Sequence, residues 1–107
     1  MALTRSFTET VKARAQADAE FRRELLREAL ETLLEGDLDV GKAVLRDYIN
    51  ATIGFEALSL VVGTPPKSLH RMLAPRGNPS SANLFGIISA LRESEHVRLE
   101  VSFADAA

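Results

Sequence analysis

Apolar residues recur at three- and four-residue spacing along almost the whole chain, until the last dozen positions. That period admits little besides amphipathic α-helix. Each such helix carries an apolar stripe that only a neighbouring element can cover, so 107 residues of this pattern predict a single all-α domain over 1–107. Composition sharpens this by exclusion. At 46% hydrophobic and 26% charged, the chain is neither disordered nor collagen-like. With no cysteine there is no disulfide, thiol nucleophile or thiolate metal site, and two histidines argue against a structural metal cluster. No cofactor is expected. No apolar run approaches the roughly 20 residues of a membrane span. The start, Met1 to Phe7, has no hydrophobic core followed by a cleavage site. The expectation is a cytoplasmic protein with no membrane partner. A domain this small buries a modest fraction of its surface, which favours dimerisation.

The first three helices form a predicted N-terminal extension (1–41) and the start of the remainder. A short helix spans Phe7 to Gln16, with Thr8, Val11 and Ala15 on one side. Asp18 is placed to cap a second, whose apolar face is Phe21, Leu25, Leu26, Ala29, Leu30, Leu33 and Leu34 and whose other face is charged. Gly36 ends it. Asp37 or Asp39 starts a third, running to about Thr52 and burying Val40, Ala43, Val44, Tyr48 and Ala51, with Leu45 and Ile49 beside that stripe. Gly41 in its first turn suggests close approach of another backbone. Gly54 closes it.

Charge is unevenly spread. Residues 1–41 hold six Lys/Arg against nine acids, 42–79 hold five against two, and the rest two against four. A basic segment within an acidic chain is the footprint of a small nucleic-acid binder, and equally of a solvated basic face.

The basic segment contains the most specific pattern. Phe55 to Val62 reads as a short helix with Leu58, Val61 and Val62 inward, and Gly63 supplies the positive φ of a tight turn. Thr64 follows as an N-cap and Pro65 as a first helical residue. Lys67 to Leu73 then puts Leu69, Met72 and Leu73 on one face and Lys67, Ser68, His70 and Arg71 on the other. Two short helices around a glycine make a helix-turn-helix, whose second helix can enter a major groove. The loop Arg76-Gly-Asn-Pro79 leads into a helix from Ser81 to Leu91, with Leu84, Ile87, Ile88 and Leu91 on one face. Gly77 reads as a backbone device, Gly86 as permitting tight packing, and Phe21, Phe55 and Phe85 as core.

The run Gly63-Thr-Pro-Pro-Lys-Ser-Leu-His-Arg-Met-Leu73 with this loop and helix resembles the Xre and phage-repressor class of helix-turn-helix proteins. More closely, it is similar to the small bacterial regulators known as addiction-module antidotes. The resemblance covers about 42–92 and implies a phage-repressor-like helical core. It implies base reading by Lys67, Ser68 and Arg71, with His70 a weaker reader, and backbone phosphate contacts from Thr64, Arg76 and Asn78. Pro65 and Pro66 depart from a main-chain phosphate clamp, because neither has an N–H.

After Leu91 the period changes to two, with Val97, Leu99, Val101 and Phe103 alternating with polar residues. This predicts one C-terminal β-strand over 95–104. Within the chain only Leu3 to Phe7 is a conceivable mate, so the strand is expected to pair with its copy in a homodimer, or with another protein.

Three functions follow. One is sequence-specific double-stranded DNA binding as a transcriptional repressor on a palindromic operator. The second is an antitoxin that neutralises a small toxin protein and regulates its own operon, with the acidic helices or the strand meeting the toxin. The third is a protein-interaction module without DNA contact. An enzyme is not expected, for want of a converging nucleophile, base or metal cluster. Only one Tyr and five Phe disfavour a stacking platform for single strands or RNA. His96 has no assignment.

Overall fold

The computed structural model describes residues 5–107 and contains six helices: α1 (Arg5–Ala17), α2 (Ala19–Leu34), α3 (Leu38–Ala51), α4 (Phe55–Val62), α5 (Pro66–Met72) and α6 (Ser81–Ser94). No strand occurs among the described residues, and the class is all-α.

Local chemistry accounts for where most helices start and stop. The Asp18 carboxylate accepts from the backbone N–H of Glu20 at 3.0 Å and of Phe21 at 3.2 Å, so α2 starts where two donors are satisfied. Asp37 rather than Asp39 caps α3, accepting from Val40 N–H at 3.3 Å. Ser80 caps α6 in the same way, through Asn83 N–H at 3.1 Å. Gly36 adopts φ 91° and closes α2 with the paired hydrogen bonds Gly36 N–H to Leu33 and Asp37 N–H to Thr32. The same closure ends α6, with Val97 N–H bonded to the Arg92 carbonyl and His96 N–H to that of Glu93. There the left-handed position is held by His96 at φ 57°.

The core is one cluster drawn from five helices: Leu26 and Ala29 of α2, Leu45, Tyr48 and Ile49 of α3, Phe55 and Leu58 of α4, Leu69 and Leu73 at α5, and Ile87, Ala90 and Leu91 of α6. The N-terminal segment is therefore continuous with the rest, since α2 packs extensively on α3. Gly41 permits that approach, because a Cβ there would stand 2.6 Å from Leu33 Cδ2. Helix α4 in turn packs on both α5 and α6.

A buried polar network ties four helices together at the end of α6. The Glu95 carboxylate, 7% exposed, accepts from Arg22 Nε at 3.1 and 3.0 Å and from the Tyr48 hydroxyl at 2.7 Å. Arg22 also donates to the Ala15 carbonyl at 2.7 Å, which brings in the end of α1. Burial, reinforced by the hydrogen bond to Glu95, pushes the Tyr48 hydroxyl well above the ordinary phenol range.

Several expectations are corrected. The 95–104 strand does not form within the chain. Glu95 and His96 finish α6, and Val97 to Ala107 form no helix or ladder, because a ladder needs a second strand that the described residues do not offer. Of the conceivable mate, residues 1–4 lie outside the described residues and Phe7 belongs to α1. Val40 and Val61 are exposed rather than inward, as is Phe85 at 62%. Gly86 meets nothing within 4 Å of a built Cβ, so tight packing does not explain it. Thr8 is exposed, while Val11 and Ala15 are covered as expected.

Candidate nucleic-acid interface

Gly63 ends α4 in the left-handed region, φ 72°, and its N–H bonds to the Ser59 carbonyl at 2.9 Å. The chain then turns through Thr64 into α5. That helix begins one residue later than expected: Pro65 is the N-cap, at φ −58° and ψ 147°, and Pro66 is the first helical residue. Thr64 is half-buried and is not the cap, because the Pro65 carbonyl already accepts from Ser68 and Leu69. No side chain caps this end. With two prolines and no capping oxygen, α5 is held mainly by what it packs against, namely Leu69 and Leu73 in the core.

That anchoring decides which face of α5 is outermost. Lys67, His70 and Arg71 are exposed and lie within one turn of each other, and Ser68 is half-buried beside them. Arg71 Nη2 donates to Ser68 Oγ at 3.3 Å, a weak contact that leaves the guanidinium free to extend. The His70 ring is differently placed. It stacks on Phe55, with ring centroids 3.9 Å apart and planes at 24°, and so spends its aromatic face within the fold.

Arg76 and Asn78 are exposed in the loop after α5. The loop folds tightly back: Ala74 N–H bonds to the Arg71 carbonyl at 3.3 Å and Gly77 N–H to that of Ala74 at 2.8 Å. Gly77 is required by this geometry, since a Cβ there would stand 2.3 Å from the carbonyl oxygens of Arg71 and Met72. Val97 is half-buried and Leu99, Val101 and Phe103 are exposed, at the opposite end of α6 from this loop in sequence and without strand pairing.

Two cations counted in the basic segment turn out to face inward. Lys42 is 5% exposed, and its ammonium donates to the carbonyls of Gly77 at 2.6 Å, Ala74 at 3.2 Å and Pro75 at 3.3 Å. One turn further along α3, Arg46 Nη1 donates to the Leu73 carbonyl. Both cap carbonyls left open beyond the short α5. Sequence reasoning missed them. The available signal was that Lys42 sits three and seven residues before Leu45 and Ile49, on the inward stripe of its helix. The exposed cations of this segment are therefore Lys67, Arg71 and Arg76.

Among the described residues no group of three or more His, Asp or Glu side chains is gathered to hold a metal ion, and no helix is long and apolar enough to cross a membrane. No family model, curated protein or solved structure matches the chain.

Proposed function

We propose that the chain is a sequence-specific double-stranded DNA-binding regulator, a helix-turn-helix protein in which α5 is the reading helix. The observation that carries this is the two-sidedness of α5. Its inner face is fixed by the fully buried Leu69, and its outer face offers Lys67, Ser68 and Arg71 within one turn. An α-helix held by one face and bearing extended cationic and hydroxyl donors on the other suits the major groove, where Arg meets the paired acceptors of guanine. Thr64, Arg76 and Asn78 supply phosphate contacts at the ends of the helix. Such a protein acts as a cytoplasmic repressor, and as a homodimer it spans a palindromic operator.

The test is fluorescence-anisotropy binding of wild type and Lys67→Ala/Arg71→Ala to the protein's own upstream duplex and to a scrambled duplex, across a salt series. Selective binding by wild type that relaxes in the variant is the expected result. Equal weak binding of both proteins to both duplexes would sink the reading-helix assignment.

A second reading, an antitoxin or interaction module with a protein partner, is favoured by apolar side chains left in solvent. Leu60 is 86% and Phe103 98% exposed, with Leu99 and Val101 alternating before the latter. A protein that docks through them keeps its partner affinity when Lys67 and Arg71 are replaced, which separates this role from DNA binding.

A further inference from the structure

The segment from Leu73 to Asn78 is unusual in that its carbonyl oxygens turn inward. Those of Ala74, Pro75 and Gly77 converge on one buried ammonium, at 3.2, 3.3 and 2.6 Å, and that of Leu73 meets the Arg46 guanidinium. An ammonium has three N–H donors, so three carbonyls match it completely. Asp39, at 3.7 Å, lies on its solvent side and is itself exposed. The loop's own hydrogen bonds are few, Ala74 N–H to Arg71 and Gly77 N–H to Ala74. Without a cation at its centre, three carbonyl dipoles would face one another in a site from which water is largely excluded. The loop's shape thus depends on a residue more than thirty positions away, on a different helix.

We propose that Lys42 is a positioning residue for DNA contact: its ammonium clasps the 73–78 loop from within, so that Arg76 and Asn78 continue the edge of α5 as one rigid phosphate-binding surface. The loop closes against the backbone of Arg71, the last reading residue of α5, through the Ala74 hydrogen bond and the close approach at Gly77. Lys42 therefore acts on the phosphate contacts beyond the end of the reading helix, without itself reaching the nucleic acid. Its contribution to affinity is independent of base sequence, because what it fixes is the register of backbone contacts. This inference rests on the DNA-binding reading for its consequence, though the clamp itself does not.

The experiment compares wild type, Lys42→Met, Arg76→Ala and their double variant. Amide hydrogen exchange is read residue by residue, and duplex binding is measured with the own-upstream and scrambled sequences. Lys42→Met keeps the apolar stem and removes the donors. It is expected to speed exchange at the Gly77 and Ala74 amides by about tenfold or more while Leu45 and Tyr48 stay protected. It is also expected to weaken binding to both duplexes by the same factor, with the ratio between them kept, and the double variant should lose less than the sum of the two single losses. Unchanged exchange at Gly77 overturns the clamp whatever the DNA does. Faster exchange with wild-type DNA affinity, or a loss additive with Arg76→Ala, overturns the positioning role. Failure of wild type to prefer its own duplex defeats the DNA-binding reading separately, and with it the role in contact. Should Lys42→Met not fold, wild type alone decides by heteronuclear NMR of its lysine ammonium groups. A clasped Lys42 gives a resolved resonance protected from exchange, and its absence overturns the clamp.

Discussion

Replacing Glu95 by Gln is the sharpest test of what holds the helices together. The substitution preserves shape and removes the charge at the meeting point of Arg22 from α2 and Tyr48 from α3. The carboxylate is nearly inaccessible, with 4% of its side chain exposed against 26% for Arg22. Removing one partner of a buried pair costs about 3–5 kcal/mol when the survivor is left fully buried. Arg22 is not in that position, since a quarter of it reaches solvent and it keeps its bond to the Ala15 carbonyl. Loss of charge-assisted hydrogen bonds, about 1.5–3 kcal/mol, is then the better guide, and about 2 kcal/mol is expected. For a domain of this size that is roughly 10 °C in Tm, or about 1 M in urea midpoint. Urea unfolding followed by circular dichroism measures it, with Tyr48→Phe and the double variant completing a cycle. A destabilisation under about 0.5 kcal/mol, the range of an ordinary surface substitution, would refute the reasoning.

The glycines offer a paired contrast. Gly86→Ala, in an open helical position, should gain about 0.5–1 kcal/mol in thermal or urea unfolding. Gly77→Ala, which drives a Cβ into two backbone carbonyls, should lose about 2 kcal/mol or more. The lone tyrosine gives a pH test. Its folded-state pKa is raised, so from about pH 10 upward the unfolded chain sheds a proton that the native one keeps, and Tyr48 draws stability down by about 1.4 kcal/mol per pH unit. Urea midpoints across this range should fall more steeply for wild type than for Tyr48→Phe.

Helix starts and stops are readable where an aspartate or a glycine decides them, but not at α5, capped by Pro65 rather than Thr64, nor at the end of α6, where His96 takes the left-handed position. Asp18 and Asp37 cap because a short carboxylate beside free N–H groups needs no tertiary help. Gly36 and Gly63 take positive φ for an equally local reason. Which side of a helix faces inward was less readable where apolar residues surround it. In α4 six of eight residues are Phe, Ala, Leu or Val, so periodicity does not separate the buried Leu58 from the exposed Val61. Phe85 was misplaced because an aromatic at helical spacing is assumed to be covered, whereas here Leu84 is the half-buried neighbour. The alternation after residue 96 reports two unlike faces but says nothing of a partner, so the expected 95–104 strand does not form, and its first residue, Glu95, instead ends α6 with a role that depends on Arg22 far away in sequence. Of the candidate site, the exposed face of α5 followed from its spacing. Lys42 did not, because charge counting treats every lysine as surface and only the fold reveals carbonyls waiting for one.

The inward turn of Lys42 and Arg46 sets how many counterions a duplex could release on meeting this face. With Lys67, Arg71 and Arg76 as its outward cations, one chain would displace at most about three, for a log–log salt slope no steeper than about −2.7, and a two-fold pair would double that limit to roughly −5.4. The salt dependence of binding would thus count the copies on the DNA, and a single copy would hold non-specific duplex only loosely at physiological ionic strength.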